Sequence, residues 1–288
     1  MDFIITGLLL GGAYALIAVG LQLQYGVARI MNLANGEMLV AGAFGAFWVF
    51  TAHQLSPFLS VLVTVPIGFA LNWAIYRYLM QPLVKRARNH GQLEVDSILS
   101  TFGLAFIFVG VMVAMFGGEY FTYEYLARPF RILGEPYALN RLVAFAFSVV
   151  VCICLYICLN RTRAGLTIRA VAVNPASAQL VGIDVPRVSA FAFAMGGALA
   201  AAGGASLSTF LTFDAFVGVI FTLKALVIVI MGGVTDTRGA ILTAFILGLA
   251  ETFVATYVDP GLTLAAAYVL FMLVLLFRPQ GIFGQRTS

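Results

Sequence analysis

Apolar runs of bilayer length follow one another along almost the whole chain. They fall at about 3–24, 36–51, 58–79, 97–117, 140–160, 189–211, 217–234, 240–257 and 262–277. A bilayer core is about 30 Å thick, and roughly 20 apolar residues in a helix cross it. The runs lack the in–out alternation of barrel strands, so helices are predicted. Composition agrees: 62% of the 288 residues are apolar and 10% are charged. Soluble domains carry roughly 25% charged residues, and this chain has too little polar surface to cover itself in water. The expected fold class is an all-α polytopic membrane protein with about eight or nine transmembrane helices. The 36–51 run is short, so a tilted, broken or re-entrant element there makes eight spans plus a partial one the alternative.

Basic residues orient such a bundle, because Lys and Arg gather on cytoplasmic loops. Lys85, Arg86 and Arg88 lie in loop 80–96; Arg161, Arg163, Arg169 and Arg187 lie in loop 161–188 against one acid, Asp184; Arg278 and Arg286 lie near the C-terminus. All three segments are expected in the cytoplasm. Loop 118–139 holds Glu119, Glu124 and Glu135 against Arg128 and Arg131 and is expected outside, with the turns at Ser56-Pro57, Asp214 and Asp259-Pro260. Nine spans then put the N-terminus outside, and an even count puts it inside. The first residues, M-D-F-I-I-T-G, lack the basic segment and small-residue cleavage site of a removed signal, so the first run is expected to stay. The net charge of +4 is explained by these loops, with no nucleic-acid partner implied. Cys152, Cys154 and Cys158 share one apolar run with no His nearby. They are expected as small apolar residues rather than metal ligands, and no metal site is predicted.

Loop 161–188 carries two helix signals. Leu166–Val173 suits a short basic helix that includes Arg169. Asn174 then caps a second one, with Pro175 in its first turn and Gly182 as its stop. Two short capped helices in one loop suggest a docking surface; a basic loop lying on anionic lipid is the simpler alternative. Ala176-Ser177-Ala178-x3-Gly182, ahead of a span rich in small residues, resembles the coupling loop of ABC importer permeases, although it has no Glu at its head and no Ile-x-Leu-Pro tail. Three further stretches occur with it along the chain: G-G-A-Y-A-L-I-A-V-G-L (11–21), M-N-L-A-N-G-E (31–37) and G-G-V-T-D-T-R-G-A-I-L-T-A-F-I-L-G-L-A-E (232–251). Together they are similar to the permease subunits of the branched-chain amino acid ABC transporter family, in the branch of its first permease. Members of that family often carry His or Gln where Asn35 stands.

The resemblance implies a type II-like importer permease formed as one transmembrane domain, 1–288, in a bacterial or archaeal inner membrane. It implies a second permease, two cytoplasmic P-loop ATPases docked on loop 161–188, an extracytoplasmic binding protein, and ATP and Mg used by the ATPases. Branched-chain or other small amino acids are the implied cargo; urea, short amides and small organic or aromatic acids are alternatives within the family. The chain itself is not expected to be an enzyme. A P-loop needs G-x4-G-K-[ST], and neither of its two lysines, Lys85 and Lys224, lies in that pattern. It has no H-E-x-x-H, and its histidines, His53 and His90, fall near loops. A stand-alone ion-coupled carrier remains the alternative from another class, because buried Glu and Lys and Gly-interrupted spans suit such folds too.

Ionisable groups at membrane depth are costly and usually face the bundle interior or a wet cavity. Glu37, Lys224 and Glu251 are the candidates. Lys224 and Glu251 each lie about seven residues, or roughly 10 Å, below the outer ends of two spans joined by a short turn. They are predicted to pair, either as a structural ion pair that fixes helix register or as a polar patch on the transport path. Glu37 is expected nearer the cytoplasmic end. Asn32, Asn35 and Gly36 break the helix there, with Asn35 as a cap and Glu37 favouring the helix dipole; a broken helix lining the path, joined by Gln22 and Gln24, is the second possibility. The stretch M-G-G-A-L-A-A-A-G-G-A-S-L-S (195–208) satisfies small-x3-small at Gly197/Ala201 and Ala200/Gly204. It suits close packing, either inside the bundle or against a second permease.

Overall fold

A computed structural model describes residues 2–87, 89–123, 125–126, 128–132, 135–278 and 280–283; Arg88, Glu124 and Arg286 lie outside them. Every predicted apolar run is a helix. In chain order these are α1 (Asp2–Ala28), α2 (Asn35–His53), α3 (Pro57–Ile75), which continues through a π-turn (Tyr76–Met80) into α4 (Gln81–Arg86), α5 (His90–Phe116), α6 (Leu139–Arg161), α7 (Arg163–Val173), α8 (Pro175–Leu180), α9 (Val185–Leu207), α10 (Gly218–Gly232), α11 (Thr237–Tyr257) and α12 (Thr263–Phe277). Among the described residues, seven helical segments are long and apolar enough to cross a membrane; they involve α1, α3–α4, α5, α6, α9, α11 and α12. The other two predicted runs are α2, which opens with Asn35, Gly36 and Glu37, and α10, whose 15 residues reach only about 22 Å. The partial element is thus double rather than single.

α10 is short because the chain before it is irregular. α9 stops at Leu207 instead of 211. Residues 208–217 then turn, and Asp214 Oδ1 accepts the Phe216 and Val217 amides at 3.2 and 2.9 Å. Phe213 exchanges both backbone hydrogen bonds with Phe121, which ties this turn to the loop after α5. Phe44, Phe47, Phe116, Phe121 and Phe213 stack around that junction. A hairpin of β1 (Pro129–Ile132) and β2 (Glu135–Ala138), antiparallel with Phe130 opposite Tyr137, follows in the same loop. No strand was expected there, since four-residue strands fall below what apolar periodicity resolves.

The bundle is built around α1 and α9, which are buried for most of their length, while α12 is almost bare. Bare apolar surface suits lipid, where it costs nothing. The small residues of α9 all turn inward. A Cβ on Gly196 would meet the Gly20 carbonyl of α1, one on Gly204 the Leu39 carbonyl of α2, and one on Gly197 the Asn72 amide of α3. α1 and α2 therefore approach α9 to backbone contact and α3 lays its Asn72 side chain against it, so the small-x3-small stretch serves packing within the chain. α1 meets α11 in the same way, with Gly248 against Gly7 and Gly11.

Candidate translocation site

Lys224 and Glu251 meet as their shared depth predicts. Lys224 Nζ lies 2.8 Å from Glu251 Oε2, with side chains only 12% and 3% exposed. A third group joins them from α1. Tyr14 donates its hydroxyl to Glu251 Oε2 at 2.7 Å and accepts from Lys224 Nζ at 2.7 Å. The ammonium also lies 4.9 Å from the centre of the Tyr14 ring, within cation–π range. Three helices are thereby fixed to one another by one charged cluster. Glu251 Oε1 is buried and has no protein partner.

α2 does not begin at the end of the bundle where α1 stops. Arg29 takes a left-handed backbone, φ 55°, and residues 29–34 lead the chain back inward. Asn32 holds this return: its Oδ1 accepts the Ala34 amide at 3.0 Å and its Nδ2 donates to Gln24 Oε1 at 3.0 Å. Gln24 donates in turn to the Phe193 carbonyl of α9 at 3.0 Å. Asn35 then reaches the carbonyl of Ile17, midway along α1, at 3.5 Å. The expected Asn35 cap is corrected: Ala34 occupies the cap position without a side-chain bond, because the Asn35 amide is turned to α1.

Glu37 is placed by its neighbours on α10. It sits beside Gly218, the first residue of α10, where an added Cβ would come within 2.5 Å of its carboxylate. Gly218 opens α10, which runs 15 residues to the α10–α11 turn, while α2 runs on from Glu37 to His53, so Glu37 lies at mid-depth, about 20 Å or more from either end by helix rise. The returning 29–34 segment is the cause, since it places the start of α2 deep in the bundle. Thr222 locks the two helix starts together. It accepts from the Gly36 amide at 2.8 Å, and its hydroxyl lies 3.2 Å from the Leu33 carbonyl. Glu37 is fully buried, and neither carboxylate oxygen has a protein hydrogen-bond partner. The first turns of α2 and α10 both adjoin it, and helix N-termini favour negative charge.

Gln22 stands apart from this site. It donates to the Val234 carbonyl at 3.1 Å and accepts from Thr237 at 3.1 Å, which fastens the end of α1 to the α10–α11 turn. The backbone of Ile282 and Phe283 bonds to Met231 and Gly232 at the same turn.

In loop 161–188 the short helices form as predicted. α7 starts three residues early, because Thr162 Oγ1 accepts the Gly165 amide at 3.0 Å and caps it. Asn174 Oδ1 accepts the Ser177 amide at 3.1 Å, and Gly182 stops the second helix at φ 83°. Arg169, Ala176 and Ser177 are exposed, as are Leu180 (89%) and Val181 (76%). Ala178 differs. It is buried in an apolar cluster with Ile168, Val171 and Ala192, so it holds α8 to the bundle and is not part of an outward surface.

Residues 3–278 match the family described as branched-chain amino acid transport system / permease component. The chain belongs to that family. Among curated relatives, the high-affinity branched-chain amino acid transport system permease protein LivH of Salmonella typhimurium is 27% identical, over 97% of this chain and 94% of its own. The corresponding BraD of Pseudomonas aeruginosa is 28% identical over 98% and 95%, and a probable LivH of Methanocaldococcus jannaschii 25% over 93% and 88%. Among solved structures, PsaBC from Streptococcus pneumoniae in complex with Fab aligns over 98% of this chain with a TM-score of 0.51 at 11% identity, a likeness of fold.

Three groups in this permease were missed from sequence. Tyr14 was read as one letter of a stretch that carries the family resemblance, and Thr222 as one of an apolar run. A Tyr in the first span and a Thr two residues before a buried Lys were the available signals. Asn72 was also missed; it is fully buried in α3, its Nδ2 donating to the Gly68 carbonyl at 2.9 Å. Among the described residues no cluster of His, Cys, Asp or Glu could hold a metal ion.

Proposed function

We propose that this permease is the translocation subunit of an ATP-driven importer of branched-chain amino acids. The family match over nearly the whole chain carries this reading, supported by curated relatives named for branched-chain amino acid transport. The chain works with a second permease, most simply a homologous one, and an extracytoplasmic binding protein delivers the substrate. Two P-loop ATPases, which use ATP and Mg, dock on the α7–α8 loop through the exposed Arg169, Ala176, Ser177, Leu180 and Val181. The C-terminus, which follows Ile282 and Phe283 at the α10–α11 turn, is cytoplasmic with that loop. The polar groups around the starts of α2 and α10, Asn35 and Glu37 first among them, lie on the path. Lys224, Glu251 and Tyr14 keep α1, α10 and α11 in register beside it.

The test is purification from native membranes in mild detergent, identification of the co-purifying chains, and reconstitution of the assembly in liposomes. A P-loop ATPase and a second permease should co-purify, and leucine uptake should require ATP and the binding protein. Uptake by this chain alone, driven by an ion gradient, would overturn the proposal in favour of a secondary carrier. ATP-driven uptake of urea or an amide instead of leucine would keep the assembly and change the cargo.

A further inference from the structure

Glu37 lines a cavity of about 150 Å³ bounded by Leu33 before α2, by Phe102, Phe106 and Val109 of α5, and by Thr222 and Leu223 of α10. Apart from Glu37 and the Thr222 hydroxyl, which is spent on α2, these walls are apolar. Phe102 and Phe106 at the mouth are 51% and 65% exposed, so the cavity is open on the α5 side.

A carboxylate in such a place normally has a partner, because burying a charge without one is costly. Glu37 has none. Lys224, the only lysine in the apolar runs, is committed to Glu251 and Tyr14. The charged neighbour that acts on Glu37 is another acid, Asp214, which adds to the negative potential. What the site lacks is a cation, and the cavity beside it is lined to receive an apolar group.

We infer that Glu37 is the counter-charge for the α-ammonium of a branched-chain amino acid whose aliphatic side chain lies against Phe102, Phe106, Val109 and Leu223. This rests on the import of amino acids proposed above and adds the recognising atom. It explains why both carboxylate oxygens are kept free of protein donors. It also predicts discrimination against analogues of the same shape that lack the ammonium.

The test uses the complete importer in proteoliposomes with its binding protein. Glu37→Gln keeps the shape and removes the charge; Glu37→Asp keeps the charge. ATP-driven leucine import should fall about tenfold or more in Glu37→Gln, the expected cost of an unpaired charged hydrogen bond, and be partly retained in Glu37→Asp. A second readout needs no variant. A hydrophobic carbodiimide modifies buried carboxyls, and leucine should protect Glu37 of the native assembly, read by peptide mass spectrometry. The oxo acid analogue of leucine should not protect it. Glu37→Gln importing at the native rate, or carbodiimide labelling that leucine leaves unchanged, overturns the inference while amino acid import stands. A native assembly that imports no branched-chain amino acid removes the functional proposal and this inference with it. If Glu37→Gln fails to assemble, the labelling result decides.

Discussion

Lys224 is held by two oxygens that reach it from opposite ends of the chain, Tyr14 on α1 and Glu251 on α11. Removing one member of a buried charge pair leaves the other uncompensated, at a cost of about 3–5 kcal/mol. Lys224→Ala should therefore lower the yield and melting temperature of the purified permease sharply. The Lys224→Ala/Glu251→Ala double variant should recover much of that loss. Failure of the double variant to recover would show that the pair does more than fix register. Tyr14→Phe removes one donor and one acceptor and should cost about 1–3 kcal/mol, read by the same melting curves. The pair itself was legible, because depth along two spans joined by a short turn is arithmetic on the sequence. Tyr14 was not, because its partners lie more than two hundred residues away and only tertiary packing brings them to it.

α2 and α8 carry the clearest differences between local signal and placement. The break at Asn32-Leu33-Ala34-Asn35-Gly36 was legible; the direction taken by the chain after it was not. Nothing local says that residues 29–34 turn back toward Ile17, and from that turn follows the position of Glu37. Gly36 is where α2 and α10 touch, since a Cβ there would run into the Gly218 carbonyl and the Thr222 hydroxyl. Gly36→Ala should cost about 1–3 kcal/mol through forced backbone separation, seen as a lower melting temperature with α-helix content unchanged. For α8, caps and stop were read correctly, but its faces were not, since six residues give too short a pattern to show which side is buried. Ala178→Arg should disturb the seating of α8 and lower assembly. Leu180→Asp, on the bare face, should leave assembly intact and reduce ATPase-coupled uptake several-fold. Equal loss of assembly in both variants would contradict this division.

The whole bundle is organised by which helices meet protein and which meet lipid. α1 and α9 take the centre because their glycines and alanines admit neighbouring backbones, the means of helix association where hydrophobicity supplies none. α12, bulky and apolar on all sides, stays at the edge. With the loop after α5 and the Asp214 turn at one end of this bundle, and loop 161–188 with the C-terminus at the other, nine helical runs place the N-terminus opposite the C-terminus. In a variant with Cys152, Cys154 and Cys158 replaced, Tyr120→Cys should react with an impermeant thiol reagent added outside intact cells. Ser177→Cys should react only in opened membranes. The reverse pattern would invert the topology.

The sequence by itself determined the material and the kinship. Apolar runs of bilayer length must be helical where no water can satisfy a backbone, and four stretches in order carry the family. It also determined each local device that depends on neighbours in the chain, such as the Asn174 cap, the Gly182 stop and the depth of Lys224. Only the tertiary structure decided the depth at which Glu37 sits, that Tyr14 completes the Lys224–Glu251 pair, that the small face of α9 is spent inside the chain, and that Ala178 faces inward. Each of these depends on a contact between segments distant in sequence. Periodicity gives the face of a helix at best, and the partner of that face is set by how all the helices fill the same space at once.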